Sequence, residues 1–489
     1  MKKKRTNTKY IFLTLILILL FFICGLVAND VLKVKKNTKK EITVIKKAER
    51  TDVDNPRIFE MDDILYSENG DIYEGFKDAP GYSHYCSKFD GTGMAVTADN
   101  KVYYIDGKLE PRYLSESSTS AVISKKADFV LYNDEAHEGC VYDAANDQKI
   151  TICKDYFTVY DSAISSNGRY VAFYEKESGT IIRDVQNPES FTTVSKKDLD
   201  AIAVSPDGKR AFFKNYDDET YFAYSYHDGE LFEIARGNHF DFFVNDECTE
   251  AFVSDIYSTY FYSTDMETGV KILDDDLFEV SCQKGPYGIV GKHSSNMIAD
   301  VESFKGCILE TISKDYYFDS PYKSLILLDQ YSSNELLGFD NGTVYRLYKD
   351  SDSDLCIETM ENGHLKSNKI EGIDPFVRSY TACDNLSKIY YVDRDGNLWL
   401  YENGEHKLLH SSPDLHSNIQ YDSFSQRLFF IEKESLYSIG DDPEDCRLEF
   451  ENADYISHNY YDYEDFVVFS YKMGNRYVRV FGNYMLFDS

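Results

Sequence analysis

The pattern of apolar and polar positions predicts an all-β chain. From about residue 60 onward, short runs rich in Tyr, Phe, Val and Ile alternate with clusters of Asn, Asp, Gly and Ser. Such spacing is typical of short strands joined by turns. The runs at 211–213, 389–392 and 428–431 are apolar at every position. We therefore expect strands that are buried on both faces, as in a sheet that packs between two other sheets.

A repeat of about forty residues underlies this pattern. Its two clearest copies are AISSNGRYVAFYEKESGTIIRDV, from Ala163, and AVSPDGKRAFFKNYDDETYFAYSYHDGELFEI, from Ala203, which place Gly168 and Gly208 40 residues apart. Each copy fits strand, turn, strand, turn, strand, turn, strand, and forty residues is the length of one four-stranded propeller blade. Weaker copies begin at Phe243, Thr381 and Gln420.

The predicted fold class is therefore a β-propeller of four-stranded antiparallel blades, with about eight to ten blade-like units in one large ring or two. A hairpin at 63–76 precedes them. The spacing is regular except between 323 and 379, where an extra stretch, YKDSDSDLCIETMENG, intrudes and a second ring would begin. The predicted starts of the units are residues 83, 120, 162, 201, 240, 279, 323, 379, 418 and 455.

The turns carry a resemblance to a known repeat class. SPDGKRAFF and SSNGRYVAFY resemble the repeats of the TolB and WD40-like (PD40) bacterial propellers, and DRDGNLWLYENG is similar to hairpins of membrane-tethered propeller proteins of Gram-positive bacteria. The resemblance implies propeller blades and says little about function. The chain lacks a recognisable N-terminal α/β domain of the TolB type and the WD dipeptide of WD40 repeats.

The N-terminal region is predicted to hold a membrane anchor. Residues 11–28 read IFLTLILILLFFICGLVA, without a charge, after a basic start. At about 1.5 Å of rise per residue this run just spans a hydrocarbon core. We predict a basic tail at 1–9, a retained transmembrane signal-anchor at 10–28, a basic linker at 29–58 and the propeller at 59–489. A cleaved signal peptide is the alternative, but the run ends poorly for cleavage.

Charge is distributed unevenly between these segments. Residues 1–50 have a net charge of +10, and the remaining residues have a net charge of −42. A body this acidic repels phosphate backbones, so we exclude nucleic acid as a partner. Counts of Lys and Arg beside the span would place the body inside the cell. The layout of exported, N-anchored bacterial proteins favours an extracellular propeller with a cytoplasmic N-terminus, and this is the predicted location.

The cysteines predict buried thiols and no metal site. Nine of the ten follow the apolar run, and no two are closer than thirteen residues, which excludes zinc-knuckle spacing. Three of them, Cys86, Cys282 and Cys383, fall where a strand runs into a turn and related segments carry small residues. We interpret them as small hydrophobic residues of the core.

Motifs of catalysis and cofactor binding are absent from the sequence. It contains no GxSxG, P-loop, HExxH or dinucleotide fingerprint. His406 and His410 have helical ligand spacing, but they fall on a predicted strand, where four residues span about 13 Å. We therefore assign no catalytic, cofactor-binding or metal-binding residue and expect no cofactor.

A few residues keep two interpretations. The run Asp350, Asp352 and Asp354 is a solvated loop or a Ca²⁺ loop, and Asp393 with Asp395 forms a hairpin turn in preference to a Ca²⁺ site. Two aromatic features also have two interpretations. Trp399 is expected to be a core residue rather than a ligand platform. The Tyr-rich stretch 458–466 either packs between blades or lines a sugar- or peptide-binding face.

These observations predict a non-catalytic binding or scaffolding protein of the bacterial cell envelope. Its expected partners are the membrane, through the N-terminal helix, and a protein or glycan on one propeller face, because propellers bind where inter-strand loops converge. Two alternatives stay open. One is a propeller glycosidase or lyase, whose paired carboxylates at the channel mouth leave no linear motif. The other is a sensory ectodomain.

Overall fold

The fold is described by a computed structural model that covers most of the chain beyond residue 57 together with a strand at 42–46. The residues outside the description are 1–41, 47–53, 55, 57, 62–63, 68–70, 87–91, 117–119, 127, 218, 285–287, 291–296, 300–302, 305, 312–313, 320–323, 329–335, 341–342, 351, 362, 384, 423–425, 434, 452–454, 461–466, 474–475, 482–483 and 489.

Four short strands precede the repeated part of the fold. Three of them form one antiparallel sheet, which contains the predicted hairpin, and the first pairs with the last strand of the chain. These strands are β1 (Ile42–Lys46), β2 (Ile58–Met61), β3 (Ile64–Ser67) and β4 (Ile72–Tyr73).

Ten sheets, each built on four antiparallel strands, then follow in the described part of the chain, and in all but one of them the four strands are consecutive. We number them blades 1 to 10 and letter the strands of each blade a to d in chain order. Blades 1 to 5 are formed by β5 (Ser83–Cys86), β6 (Gly93–Ala98), β7 (Lys101–Asp106), β8 (Arg112–Ser115); β9 (Ala121–Ile123), β10 (Phe129–Asn133), β11 (Glu138–Asp143), β12 (Gln148–Tyr156); β13 (Ala163–Ile164), β14 (Tyr170–Glu175), β15 (Gly179–Asp184), β16 (Phe191–Ser195); β17 (Asp200–Val204), β18 (Ala211–Asp217), β19 (Thr220–His227), β20 (Glu230–Gly237); and β21 (Asp241–Asn245), β22 (Glu250–Asp255), β23 (Ser258–Ser263), β24 (Val270–Leu273).

Blade 6 carries two additional strands, β26 and β27, between its strands a and b. Blades 6 to 10 are formed by β25 (Leu277–Lys284), the additional β26 (Gly288–Val290) and β27 (Met297–Ala299), β28 (Cys307–Thr311), β29 (Asp315–Asp319), β30 (Ser324–Leu327); β31 (Leu336–Asp340), β32 (Thr343–Lys349), β33 (Leu355–Glu361), β34 (His364–Lys369); β35 (Ser379–Ala382), β36 (Lys388–Val392), β37 (Asn397–Glu402), β38 (Glu405–Ser411); β39 (Leu415–Asp422), β40 (Arg427–Glu432), β41 (Ser435–Ile439), β42 (Cys446–Glu451); and β43 (Tyr455–Tyr460), β44 (Val467–Met473), β45 (Arg476–Phe481), β46 (Tyr484–Asp488).

The fold class needs one correction, which concerns the transmembrane helix. In the described part of the chain no helix is long and apolar enough to cross a membrane, and the helices found there are 3-10 turns such as Val159–Asp161 and Pro443–Asp445. The fold class of the described residues is therefore all-β, without a transmembrane helix. The predicted tail at 1–9 and span at 10–28 lie outside the described residues. Within the predicted linker at 29–58, β1 pairs with β46 and adds a fifth strand to blade 10.

Nine of the ten predicted unit starts lie within three residues of a strand a, and the start at 323 is wrong. The run at 324–327 is β30, the last strand of blade 6, and blade 7 begins at Leu336. The stretch YKDSDSDLCIETMENG is not an intrusion, because it forms the hairpin between β32 and β33. The additional residues lie instead at 285–306, in blade 6.

The turn between strands a and b explains the spacing that the two clearest copies share. Ser205 donates its hydroxyl to Asp207 Oδ1 at 2.7 Å and accepts the Arg210 amide at 3.0 Å. Gly208 has a φ of +69°, and a Cβ at this position would lie 2.5 Å from the Tyr170 ring of the preceding blade, so a side chain there would be strained and would clash. Blade 8 uses a thiol in the same role: Cys383 donates to Asn385 Oδ1 at 3.0 Å.

Apolar side chains fill the spaces between neighbouring blades. Strand b of blades 4, 8 and 9 is buried on both faces at 211–213, 389–392 and 428–431, as the pattern predicted. One cluster joins Ile308 and Tyr317 of blade 6 to Val344 and Met360 of blade 7, and another joins blades 7 and 8. The core thus continues through the region in which a second ring was considered.

The antiparallel order fixes two faces of the molecule. The a–b face carries the turns that join strands a to b and c to d. The b–c face carries the b–c hairpins and the connections from each strand d to the next strand a. Strands a of successive blades contact one another, as β13 does with β9 and β17. On the a–b face Lys126 of blade 2 reaches Asp246 of blade 5, with Nζ 2.5 Å from Oδ2, so the a–b turns of these blades converge.

Candidate functional site

Two neighbouring connections on the b–c face bring three carboxylates together. The connection into blade 3 contains the 3-10 turn Val159–Asp161, whose Val159 is buried in the core and whose Asp161 is exposed. The connection into blade 4 reads Asp198-Leu199-Asp200, and Leu199 is buried between blades 3 and 4. Because the apolar residue of each connection points into the core, the carboxylates beside it remain on the surface.

A buried threonine fixes the second connection. The Thr180 hydroxyl, which is fully buried, donates to the Lys197 carbonyl at 2.8 Å and accepts the Leu199 amide at 3.0 Å. From the next blade, the Asn215 side chain donates to the Asp198 carbonyl at 2.9 Å. The backbone that carries Asp198 and Asp200 is therefore held from both sides.

Exposed aromatic rings continue the surface across blades 3 to 5. Tyr160 is 67% exposed and Tyr216 is 58% exposed. The ring of Tyr216 lies 4.7 Å from that of Tyr221, which in turn lies 5.5 Å from the His239 ring, edge to face. We call this region of the b–c face the acidic-aromatic surface; its residues are Tyr160, Asp161, Asp198, Asp200, Tyr216, Tyr221 and His239.

The three carboxylates of this surface repel one another, and two lysines lie near them: Lys214, and Lys197, which pairs with Asp217 at 3.7 Å. Burial away from water raises the pKa of Asp200, and the neighbouring Asp161 raises it further. The same two causes, in the same order, raise the pKa of Asp198. Among the described residues, no basic side chain forms an ion pair with any of the three carboxylates. The charge of Lys214 only partly offsets the repulsion at Asp200.

Stability should therefore depend on pH through these groups. A carboxyl whose native pKa is raised binds more protons folded than unfolded, so its contribution to the unfolding free energy falls as pH rises through that pKa. We expect the double variant Asp198→Asn, Asp200→Asn to have a higher urea midpoint than wild type at pH 7. The difference should vanish at a pH below the ordinary carboxyl pKa of about 3.9. A less stable variant at pH 7, or a gain that persists in acid, would contradict the assignment.

A second polar cluster lies on the a–b face. Asp246 is 4% exposed, and the Lys126 backbone amide donates to the Ser166 carbonyl at 2.7 Å, so turns of blades 2, 3 and 5 meet there. Arg210 of blade 4 adds an ion pair to Glu247 at 3.3 Å. These contacts join blades 2 to 5, and we interpret them as structural.

The aspartates considered as Ca²⁺ ligands accept hydrogen bonds from the backbone amides of their own turns. Asp350 Oδ1 accepts the amides of Asp352 and Asp354, and Asp354 pairs with Lys369, with Nζ 2.5 Å from Oδ2. In blade 8, Asp393 Oδ1 accepts the amides of residues 395 and 397 in a hairpin turn. Within the described part of the chain, no three His, Cys, Asp or Glu side chains are placed to hold a metal ion.

The remaining singled-out residues lie in blade 8 and near the C-terminus. Trp399 stacks beside Tyr391 and donates Nε1 to Asp393 at 3.0 Å, so it is a partly buried core residue. His406 contacts Tyr391 and a backbone carbonyl, whereas His410 pairs with a glutamate, so the two do not share a ligand. Of the stretch 458–466, residues 461–466 lie outside the described residues.

Seven of the nine cysteines after residue 28 are described as free thiols. All but Cys446 are buried, which confirms the interpretation of Cys383 as a core residue, and burial raises the pKa of most of the seven. The side chains of Cys86 and Cys282, which were interpreted in the same way, lie outside the described residues. The seven are Cys140, Cys153, Cys248, Cys307, Cys356, Cys383 and Cys446.

The sequence interpretation missed the acidic-aromatic surface. Its carboxylates come from connections 37 residues apart, and they become neighbours only because blades 3 and 4 pack side by side. One local signal was available: Asp198-Leu199-Asp200 alternates polar and apolar residues just before a strand a, which indicates two outward-facing carboxylates.

Comparisons with known proteins add little to this picture. No protein-family model and no curated protein matches the chain. Among solved structures, a eukaryotic initiation factor is 10% identical with a TM-score of 0.38, covering 76% of this chain and 97% of that one. The tricorn protease is 13% identical with a TM-score of 0.25, covering 79% of this chain and 45% of that one. The sheets themselves define a β-propeller-like fold.

Proposed function

We propose that this protein is a non-catalytic, β-propeller-like binding module whose acidic-aromatic surface takes a basic segment of a partner protein. The observation that carries the proposal is the group of three carboxylates for which the described residues supply no ion-pair partner, together with exposed tyrosines in the same connections and the neighbouring hairpin. Charged side chains of a protein surface normally scatter their signs or form pairs. Here the missing positive charges are supplied by the partner.

The chemistry of the surface suits lysine and arginine side chains. Clustered carboxylates attract cations and accelerate encounter, an effect that the net charge of −42 beyond residue 50 strengthens. The rings of Tyr160 and Tyr216 offer faces for cation–π contacts and large contact area at low cost in side-chain entropy. A chain bearing several basic residues can therefore satisfy all three carboxylates at once.

The energetic cost of the cluster supports a functional role. Asp198 and Asp200 lower stability at neutral pH, because their ionised forms are partly desolvated and face Asp161. Destabilising groups that stand together on the surface are typical of sites used for binding.

A propeller glycosidase or lyase is the second candidate, because a raised carboxyl pKa also suits a general acid. Binding is favoured over catalysis because Asp161 and Asp198 lie on an exposed surface and not within a cleft that excludes water. Release of an aryl leaving group from synthetic glycosides, abolished in Asp200→Asn, would replace the binding proposal with this one.

The proposal is tested by titrating a synthetic nonapeptide of alternating Arg and Gly into the full-length protein. We expect the triple variant Asp161→Asn, Asp198→Asn, Asp200→Asn to bind at least tenfold more weakly, and Tyr160→Ala to weaken binding severalfold. A matched control removes three exposed acids of the opposite face, Glu189→Gln, Asp265→Asn and Glu267→Gln, with the same change in net charge. Equal losses in both triple variants would show a non-specific charge effect and overturn the proposal.

We also infer that the repeats are divergent members of the TolB and WD40-like class. The Ser205-Pro206-Asp207-Gly208 turn supports this inference, since its side chains fix the a–b turn that gives the class its signature. The equivalent Ser165 turn repeats the same hydrogen bonds, with Asn167 in place of the aspartate.

A further inference from the structure

The b–c hairpin of blade 5 ends in two exposed apolar side chains. Asp255 and Ser258 are paired across the two strands, so the turn consists of Ile256 and Tyr257 alone. Ile256 is 53% exposed and Tyr257 is 64% exposed. Two-residue hairpin turns favour Asn, Asp and Gly. This pair, which we call the apolar tip, therefore leaves apolar surface in water that the turn itself does not require.

The apolar tip is rigid and borders the acidic-aromatic surface. The buried Asp255 accepts the Tyr257 amide at 2.8 Å, which fixes the turn. A Cβ on Gly237 would lie 2.3 Å from Asp255 Oδ2, so the connection into blade 5 lies against the base of the hairpin. The same connection carries His239, which belongs to the acidic-aromatic surface. The exposed rings of blade 4 thus lead to the tip.

A second acidic connection lies against the same hairpin. It holds three aspartates, at 274–276, and leads into the fully buried Leu277. Ser254, a buried residue of hairpin strand b, donates its hydroxyl to Asp276 Oδ1 at 3.0 Å and accepts the Leu277 amide at 2.9 Å. The Thr259 hydroxyl, on strand c, donates to the carbonyl of residue 275 at 2.9 Å. Asp276 is therefore held beside the hairpin that carries the tip.

The two acidic connections are built in the same way. Asp198 and Asp276 each come directly before a buried leucine at the entry to a strand a. A buried threonine of strand c, Thr180 in blade 3 and Thr259 in blade 5, donates to the backbone of each connection. The fold thus repeats a carboxylate on the b–c face at blades 4 and 6, and the blade 5 hairpin contacts elements of both regions.

Charge selects the class of molecule that fits the apolar tip. Lys271 pairs with Asp274, with Nζ 2.6 Å from Oδ1, so the three aspartates together with this lysine keep a net negative charge. Acidic surroundings repel the anionic head groups of a lipid surface. A basic protein segment instead brings cations to the carboxylates and an apolar side chain to the tip.

We propose that the partner segment crosses blade 5 and carries apolar residues between two groups of basic residues, an inference that rests on the proposed function. Its apolar side chains pack on Ile256 and Tyr257. One basic group faces the acidic-aromatic surface, and the other faces Asp276. Charge attracts basic chains in general, whereas the tip selects those with apolar residues at the matching place.

Two synthetic peptides of equal charge separate the apolar contact from general attraction. One has fifteen residues of alternating Arg and Gly, beginning with Arg, and the other has leucine as its sixth and eighth residues. Both are titrated into the full-length protein and into a tip variant, Ile256→Asn with Tyr257→Gly, whose new residues suit a two-residue turn. The control, Phe376→Ser with Leu448→Ser, removes two other exposed apolar side chains.

We expect wild type and the control to bind the leucine peptide about tenfold more tightly than the Arg/Gly peptide, and the tip variant to bind both equally. Equal binding of the two peptides by wild type, or a gain that survives in the tip variant, would overturn this inference and leave the proposed function standing. Binding of neither peptide would overturn both.

Two further measurements test the second basic contact and the choice of occupant. Asp276→Asn, which keeps an oxygen acceptor for Ser254, should weaken binding of the leucine peptide severalfold. Unchanged affinity would overturn the contact at Asp276. Wild type should not bind phosphatidylcholine vesicles. Vesicle binding that is lost in the tip variant, without a gain from leucine, would assign the tip to a lipid surface and overturn the proposal.

Discussion

Replacement of Arg346 by methionine is expected to lower the free energy of unfolding by about 3–5 kcal/mol, the usual cost of removing one partner of a buried ion pair. Arg346 Nη1 lies 3.0 Å from Glu358 Oε2, and both side chains are buried between strands of blade 7. Without the arginine, the described residues leave the Glu358 carboxylate one side-chain partner, the Tyr348 hydroxyl, which donates to Oε1 at 2.8 Å. The methionine fills similar space but supplies no charge.

Urea unfolding followed by circular dichroism measures this effect. The matched control is Lys433→Met, because the ammonium of Lys433 is mostly exposed and lies 3.8 Å from Asp414. It should leave the midpoint unchanged within error, as exposed pairs contribute little. A double variant, Arg346→Met with Glu358→Leu, should recover much of the loss. If the single and double variants were equally unstable, the cost would come from lost packing rather than from an uncompensated charge.

The second large effect is expected at Phe252, in strand b of blade 5. Its fully buried ring contacts three others at centroid distances of 5.4 Å (Phe261), 4.8 Å (Phe304) and 5.0 Å (Phe318). This aromatic cluster joins blades 5 and 6. Phe252→Ala removes the central ring and leaves a cavity, which costs about 3–5 kcal/mol for a buried phenylalanine.

Thermal unfolding of Phe252→Ala should show a clearly lowered midpoint, and Phe252→Leu should recover part of the loss because it refills the cavity. The control is Phe376→Ala, in the connection between blades 7 and 8, where the ring is 69% exposed. That substitution should change stability by no more than about 0.5 kcal/mol. Equal effects at the two positions would mean that blades 5 and 6 do not share a core.

Much of the architecture could be predicted because the blades carry a local sequence signature, a turn followed by an apolar run. The Ser165 and Ser205 turns repeat one hydrogen-bond pattern, and the apolar run that follows each turn has no other place than between blades. The start of blade 7 was not predictable in this way. The run SLIL at 324–327 has the composition of an inner strand, yet it is the outer strand β30. A short apolar run does not reveal its position in a sheet.

The acidic-aromatic surface could not be predicted for a different reason. With 41 tyrosines in the chain, the type of residue says nothing about which rings are exposed. Tyr216 and Tyr262 are both the penultimate residue of a strand, but the first is 58% exposed and the second is fully buried. What separates them is their surroundings, since Tyr262 packs against Phe212 in the core between blades 4 and 5, whereas Tyr216 lies opposite Tyr221 beside the b–c hairpin of blade 4. The strand β27 also escaped prediction, because its partner lies more than fifty residues away.

The most direct test of the binding proposal is to map where a basic ligand lies. Hydrogen exchange followed by mass spectrometry should be measured on the full-length protein with and without the Arg/Gly nonapeptide. The account predicts protection at 158–161, 197–200 and 215–217 and unchanged exchange in the a–b turns at 165–168 and 205–208. Protection confined to those a–b turns, or none at a saturating peptide concentration, would contradict it.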